Sequence, residues 1–283
     1  MASSKEDRRK VGHGDSRLDR VLVERGLAPT RTQAQALVMA GQVRVNGSVM
    51  TKAGHLVKAD DQLAVDGMAH PYVSRGGLKL EEALKVFDIQ PDGWDVVDVG
   101  ASTGGFTDCW LKHGARHVWA VDVGYGQLDW RLRTDPRVTV LERTNARWLT
   151  ADMLPGVDRV DAASIDASFI GIALLLKPLL SIVKPSGRVV GLVKPQFEAG
   201  REHVGKNGVV RDRRVHEAVL SRFVEQAKEQ GWTVLGLAPS PIRGPEGNIE
   251  FLSLLAGQAP GDAVYVPPIS HIVDQAWEGD EQR

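Results

Sequence analysis

Residues 94–108 read Trp-Asp-Val-Val-Asp-Val-Gly-Ala-Ser-Thr-Gly-Gly-Phe-Thr-Asp. A short apolar run, Val96 to Val99, ends in a glycine-rich turn, and a helix-like segment follows. A strand that turns on glycine into a helix leaves backbone N–H groups and a helix N-terminus open at the strand's carboxyl end. Such a unit starts an α/β sheet with a nucleotide or cofactor crevice. The rest of the chain then has two tasks: to supply the other strands, and to keep any preceding module separate.

The sequence beyond this stretch alternates. Strands are predicted at 95–99, 117–121, 137–141, 160–165, 188–193, 232–238 and 249–255, and helices at 104–113, 127–132, 170–183 and 211–230. A helix at 76–87 precedes them. Strands separated by helices predict an α/β fold with a mostly parallel, doubly wound sheet. The last two strands are joined through Pro239, Pro241 and Pro245, so that end of the sheet is expected to be antiparallel. The tail from 269 to 283 is acidic and expected to be peripheral. Cys109 is the only cysteine, which excludes an internal disulfide and suits a reducing cytosol. It is read as a small buried side chain. No apolar run approaches the ~18 residues of a membrane span. No apolar segment backs the N-terminus, so no secretory signal is expected. These features predict a cytoplasmic protein, and a monomer is expected.

At 283 residues two domains are natural. Residues 1–15 are expected to be a disordered basic tail, 16–66 a small module, 67–74 a linker and 75–268 the α/β domain. The module carries an excess of charge: residues 1–58 hold eleven Lys and Arg against five acids, a net +6. A basic module on a near-neutral body suggests a polyanion partner. Leu18, Val21 and Leu22 have helical spacing closed by Gly26, and Thr30 caps a second helix over 31–40. Asn46-Gly47 between alternating residues predicts a hairpin. Asp60-Asp61 marks a turn before a strand at 62–65. Arg17, Arg20, Arg31 and Arg44 are available for phosphates. The pieces Arg17-Leu-Asp-Arg-Val-Leu-Val-Glu-Arg-Gly, Thr30-Arg-Thr-Gln-Ala, Ala40-Gly-Gln-Val-Arg-Val-Asn-Gly and Asp60-Asp-Gln-Leu resemble the S4-type RNA-binding domain. That resemblance implies RNA bound through shape and phosphates.

Three readings compete for the glycine turn. A dinucleotide fingerprint needs glycine at 100, 102 and 105, and position 102 is Ser. A hydrolase elbow is met by Gly100-Ala-Ser102-Thr-Gly104, with Asp166 and His203 or His216 as partners. An S-adenosylmethionine (SAM) site would use Asp98 to face the cationic amino group and Asp122 to accept the ribose hydroxyls. Asn145 would meet the adenine edge. Acids at successive strand ends favour a site there.

The pieces Ser74-Arg-Gly-Gly-Leu-Lys-Leu, Ile165-Asp-Ala-Ser-Phe, Leu192-Val-Lys-Pro-Gln-Phe-Glu and Gly247-Asn-Ile-Glu-Phe join the glycine turn in order. Together they resemble the FtsJ-like, Rossmann-type (class I) methyltransferases. With the S4-type module in front, the whole chain is similar to the TlyA family of ribosomal RNA 2′-O-methyltransferases, whose members have also been called haemolysins. The resemblance implies SAM as cofactor, held by Asp98, Gly100, Ser102, Thr103, Gly104, Gly105, Phe106, Asp122 and Asn145. It implies a catalytic tetrad of Lys79, Asp166, Lys194 and Glu250. It also implies cytidine in small- and large-subunit ribosomal RNA as the target, with consequences for ribosome-targeting peptide antibiotics. Asp166 and Lys194 each follow an apolar strand, and Pro195 keeps Lys194 on a turn. Lys194, beside Asp166 and near Lys79, would position the 2′-hydroxyl and take or stabilise its proton. The absence of a zinc-like Cys/His cluster predicts no metal. The basic, glycine-rich stretch 200–214, with Arg201 and Lys206, is expected to be a mobile loop over the site that contacts RNA, as is Arg75.

Overall fold

The computed structural model describes residues 16–25, 27–28, 30–58, 61, 63–65, 70–244, 246–257 and 267–281. The expected tail 1–15, the helix-closing Gly26, Asp60 and Gln62 of the predicted turn and strand, and linker residues 67–69 lie outside them. The chain divides into two compact units, 1–71 and 72–283.

In the first unit, β1 (Ser16–Arg17) leads into α1 (Leu18–Glu24), and α2 (Arg31–Met39) follows. Thr30 accepts a hydrogen bond from the Gln33 N–H and so caps α2 as its sequence predicts. β2 (Val43–Val45) and β3 (Ser48–Met50) form an antiparallel hairpin on Asn46-Gly47, both at positive φ. β4 (Leu56–Val57) pairs with β1, and β5 (Leu63–Val65) with β2. Leu18, Leu22, Ala34, Val38 and Val43 close the core of this unit.

The second unit begins with α3 (Gly76–Val86), β6 (Asp95–Val99), α4 (Gly105–Lys112), β7 (His117–Val121), α5 (Trp130–Arg133) and β8 (Val138–Leu141). After two 3-10 turns come β9 (Val160–Ile165), α6 (Ala173–Ile182), β10 (Val183–Val193) and α7 (Pro195–Glu198). α8 (Arg213–Glu229), β11 (Thr233–Pro239), β12 (Phe251–Ala256) and α9 (Ile269–Glu281) complete it. The sheet order is β11-β12-β10-β9-β6-β7-β8. β12 runs antiparallel to both neighbours, and the other pairings are parallel. Strand period decides the two layers. Val96, Ala162, Val190 and Leu252 face α3 and α4, while Val97, Ala163, Val189 and Phe251 face α6 and α8.

The carboxyl-terminal tail is not peripheral. Residues 269–281 form α9, whose Ile272 and Val273 are fully buried in the sheet's second core. The Trp277 indole donates to His216 Nδ1 at 3.1 Å, and the His216 ring meets Phe251 edge-on. Burial, assisted by the Arg243 charge, pushes the His216 imidazole from its ordinary 6.5 down to about 4. The folded protein therefore binds fewer protons than the unfolded chain between those values. Stability from this contact is complete above about pH 6.5 and fades as pH falls towards 4. Thermal midpoints of wild type and His216→Gln, compared from pH 4.5 to 7, test this through their difference (about half a unit above the folded value at the acid end). The variant should show a shallower rise with pH, and parallel curves would refute the assignment.

Candidate functional site

β6 lies inside the seven-stranded sheet, paired in parallel with β9 on one side and β7 on the other, and the site grows from its carboxyl end. Gly100 (φ 82°) and Gly104 (φ 97°) make the turn possible. The space is as decisive as the angle. A Cβ on Gly100 would stand 2.6 Å from the Asp166 carbonyl oxygen, and one on Gly105 would stand 2.3 Å from Ser74 Oγ. The turn is thus pressed against the end of β9 on one side and the start of α3 on the other.

The turn's polar partners are specific. Asp122, at the end of β7, accepts from the Ser102 N–H at 2.8 Å and the Gly124 N–H at 2.7 Å. Its carboxylate remains half-exposed, with lone pairs left for further donors. Ser102 and Thr103 are exposed at the rim, and Gly104 carries the turn into α4. Phe106 is buried in the core under the turn.

Asp98 requires a correction. It is 0% exposed, with Thr107 Oγ1 donating to it at 2.7 Å and Ser164 Oγ at 2.8 Å. Its carboxylate faces inward and ties α4 and β9 to β6, so it does not meet a ligand's ammonium directly. Desolvation raises its acid to about 6 despite those bonds. Asn145 also serves locally: its side chain accepts from the Arg147 N–H and caps a 3-10 turn. The hydrolase reading loses its constellation, because Ser102 Oγ is directed at Gln127 and His216 is sealed between Trp277 and Phe251. His203 is exposed and lies 3.9 Å from Glu202.

The four residues of the expected tetrad come together as two ion pairs. Lys79 Nζ lies 2.5 Å from Glu250 Oε2, and Lys194 Nζ lies 2.6 Å from Asp166 Oδ1. Lys79, Lys194 and Glu250 are buried, which is rare for such groups unless paired. Different elements deliver them. Lys79 comes from the first turn of α3, Asp166 from the end of β9, Lys194 from the end of β10, and Glu250 from the residue before β12. Gln196 links the pairs in sequence and space, donating to Glu250 Oε1 at 3.0 Å two residues after Lys194. Lys194 also donates to Ser168 Oγ at 3.3 Å.

Sequence reasoning missed three supports. Gln196 is one. Asn248 is another: it accepts from the Val210 N–H and donates to the Gly208 carbonyl, fastening the 200–212 loop beside Glu250. The third is Phe169, 90% exposed at positive φ, with its ring 5.2 Å from Phe197, which in turn stands beside Lys194. Each sits within two or three residues of a tetrad member, a proximity that could have drawn attention to it.

The cationic candidates divide. Arg201 and Lys206 are exposed on short 3-10 turns, and Arg75 is exposed at the N-cap of α3. The 200–212 stretch is therefore folded into local turns rather than left open. In the first unit, Arg17 and Arg31 both bind Asp19, at 3.1 and 3.0 Å. Asp19 is fully buried, and the Arg17 guanidinium foremost holds it well below the usual carboxylate range. Arg20 pairs with Glu24 instead, and Arg44 donates to the Gly47 carbonyl.

Comparison with known proteins identifies both units. Residues 72–256 match the FtsJ-like methyltransferase model and residues 16–63 the S4 domain. The chain is 46% identical over 244 residues to the 16S/23S rRNA (cytidine-2′-O)-methyltransferase TlyA of Mycobacterium tuberculosis, covering 86% of this chain and 90% of that one. It is 39% identical over 238 residues to Hemolysin A of Brachyspira hyodysenteriae, covering 84% and 98%. A solved structure described as a hemolysin from Streptococcus thermophilus superposes with a TM-score of 0.76 at 43% identity, over 96% of this chain and 98% of that one. The chain belongs to the FtsJ-like methyltransferases and carries an S4 domain in front of its methyltransferase unit.

Proposed function

We propose that this chain transfers a methyl group from SAM to a ribose 2′-hydroxyl of ribosomal RNA, at cytidine within ribosomal subunits. One observation carries the reading: two buried lysine–carboxylate pairs at the carboxyl end of a sheet whose first strand closes in a glycine turn. The S4 domain and the rRNA methyltransferase of Mycobacterium tuberculosis to which the chain is similar support RNA as the substrate. The family resemblance of the sequence further implies that loss of the modification would alter sensitivity to ribosome-targeting peptide antibiotics. The complete tetrad on one chain supports action as a monomer, and a ribosomal RNA substrate is consistent with action in the cytoplasm. Membrane lysis has only a relative's name behind it, and no described helix is long and apolar enough to cross a membrane.

The residues present fit the cofactor. The Gly100–Gly105 turn offers backbone approach, and Asp122 offers acceptors for a diol. When bound, SAM supplies an electrophilic methyl group. The chain's own residues do the rest. Lys194, acting as the base in its neutral form, positions the hydroxyl and takes its proton, and Asp166, 2.6 Å away, holds the ammonium that results. Glu250 and Gln196 fix Lys79 against the same face. Alignment of the reacting groups supplies much of the rate, worth ~7–11 kcal/mol in favourable cases. Phe169 and Phe197 offer an aromatic surface where an unstacked base can rest beside Lys194.

Transfer of tritiated methyl from SAM to separated, unmodified subunits tests the reading, with the product mapped by nuclease and ribose analysis. Label on a cytidine 2′-oxygen is expected. Label on a base, or no transfer to either subunit, would overturn it.

A further inference from the structure

Trp148 is 72% exposed although its neighbours Ala146 and Leu149 are core residues. The 3-10 turn Ala146–Trp148 follows the end of β8 and packs against α6, with Ala146 and the following Leu149 buried and Arg147 and Trp148 exposed. Between this turn and α6 lies a groove of about 520 Å³. Leu174, 54% exposed, forms part of its wall, with Lys177 one turn further along the helix. Arg147 is also in the wall, its guanidinium 5.8 Å from the Trp148 ring. The lining therefore combines a flat aromatic face, an apolar floor and two cations, with no carboxylate among the described residues.

Core packing does not explain this combination, since the indole and Leu174 face solvent. A polyanion with exposed aromatic bases does fit it: phosphates answer the cations, and a base stacks on the indole in a sequence-tolerant way. We propose that Trp148, Leu174 and Lys177 form an auxiliary docking groove for a single-stranded nucleotide of the substrate RNA, outside the tetrad. The base rests on Trp148 and Leu174, and a neighbouring phosphate meets Lys177. The groove anchors RNA on the flank of the methyltransferase unit and takes no part in proton movement. This rests on RNA being the substrate.

The test uses the full-length protein and unmodified ribosomal subunits, with Trp148→Ala, Trp148→Phe and Lys177→Glu. Because Trp148 is exposed, its truncation should leave the thermal midpoint unchanged. Trp148→Ala should raise KM for subunits about tenfold, towards the lower part of what base–aromatic stacking is worth, with kcat and SAM affinity preserved. Trp148→Phe should restore most of the loss, and Lys177→Glu should raise KM and flatten its salt dependence. A KM for Trp148→Ala within about twofold of wild type would overturn the groove, given the tenfold expected. So would a loss that appears as altered self-association in sedimentation, which would make the occupant a second copy. If wild type itself transfers nothing to subunits, the substrate reading fails instead, and the two failures stay distinguishable.

Discussion

Replacing Lys194 with alanine lowers kcat for methyl transfer by about 10³-fold while SAM binding survives, since a positioned proton-handling group typically contributes ~10²–10⁴. Lys194 is buried, with Nζ 2.6 Å from Asp166, and no partner in this set reaches out to replace it. The glycine turn and Asp122 belong to other elements, so the cofactor surface remains. Lys194→Arg should fail almost as fully, because a planar, permanently charged guanidinium can neither occupy the same point nor yield its proton. Removing Glu250 is a different experiment. It strands the buried Lys79 ammonium without its carboxylate, and losing one partner of a buried pair costs ~3–5 kcal/mol. Lys194→Ala should therefore separate chemistry from stability, whereas Glu250→Ala should lower both. Calorimetric SAM affinity, single-turnover transfer and thermal midpoints measured on the same preparations check this. Near-wild-type turnover in Lys194→Ala would remove that residue from the mechanism.

The sheet was legible because its strands are short apolar runs ending in glycine or an acid, and the ends of parallel strands gather at one edge. Asp166 and Lys194 could be placed from that rule alone. The direction of a strand-end side chain could not. Asp98 and Asp122 look alike in sequence, yet Asp98 turns inward because Thr107 and Ser164 supply hydroxyl donors from α4 and β9. Those donors lie 9 and 66 residues away, and only the packed sheet brings the second one near. The pairing of Lys79 with Glu250 was equally hidden, since 171 positions separate them. α9 is another case. Ile269, Ile272, Val273, Ala276 and Trp277 carry a clear helical period, but the acidic composition of the tail drew attention away from it. Its apolar stripe meets α8 and β11, which is why an acidic segment docks at all.

Gly100→Ala should be the most damaging small substitution outside the tetrad. Its φ of 82° costs a residue with a Cβ ~1–2 kcal/mol. The added methyl would also meet the Asp166 carbonyl oxygen at 2.6 Å and its carbon at 2.9 Å. These are backbone atoms of a strand end, so no side chain can swing aside, and overpacking of this kind costs a further ~1–3 kcal/mol. At roughly 2–4 °C per kcal/mol for a unit of this size, the thermal midpoint should drop by about 5–15 °C. Activity should fall further than stability. The contact that must open joins the cofactor turn to Asp166, so relief of the clash moves the carboxylate that holds Lys194 away from the methyl donor. Gly93→Ala supplies the comparison. Gly93 has φ 72° in the same unit, but its Cβ would meet nothing within 4 Å. That variant should carry the backbone strain alone, lose a few degrees and keep its turnover. If Gly100→Ala merely matched Gly93→Ala in stability and methyl transfer, the close apposition of turn and β9 would not be what aligns the site.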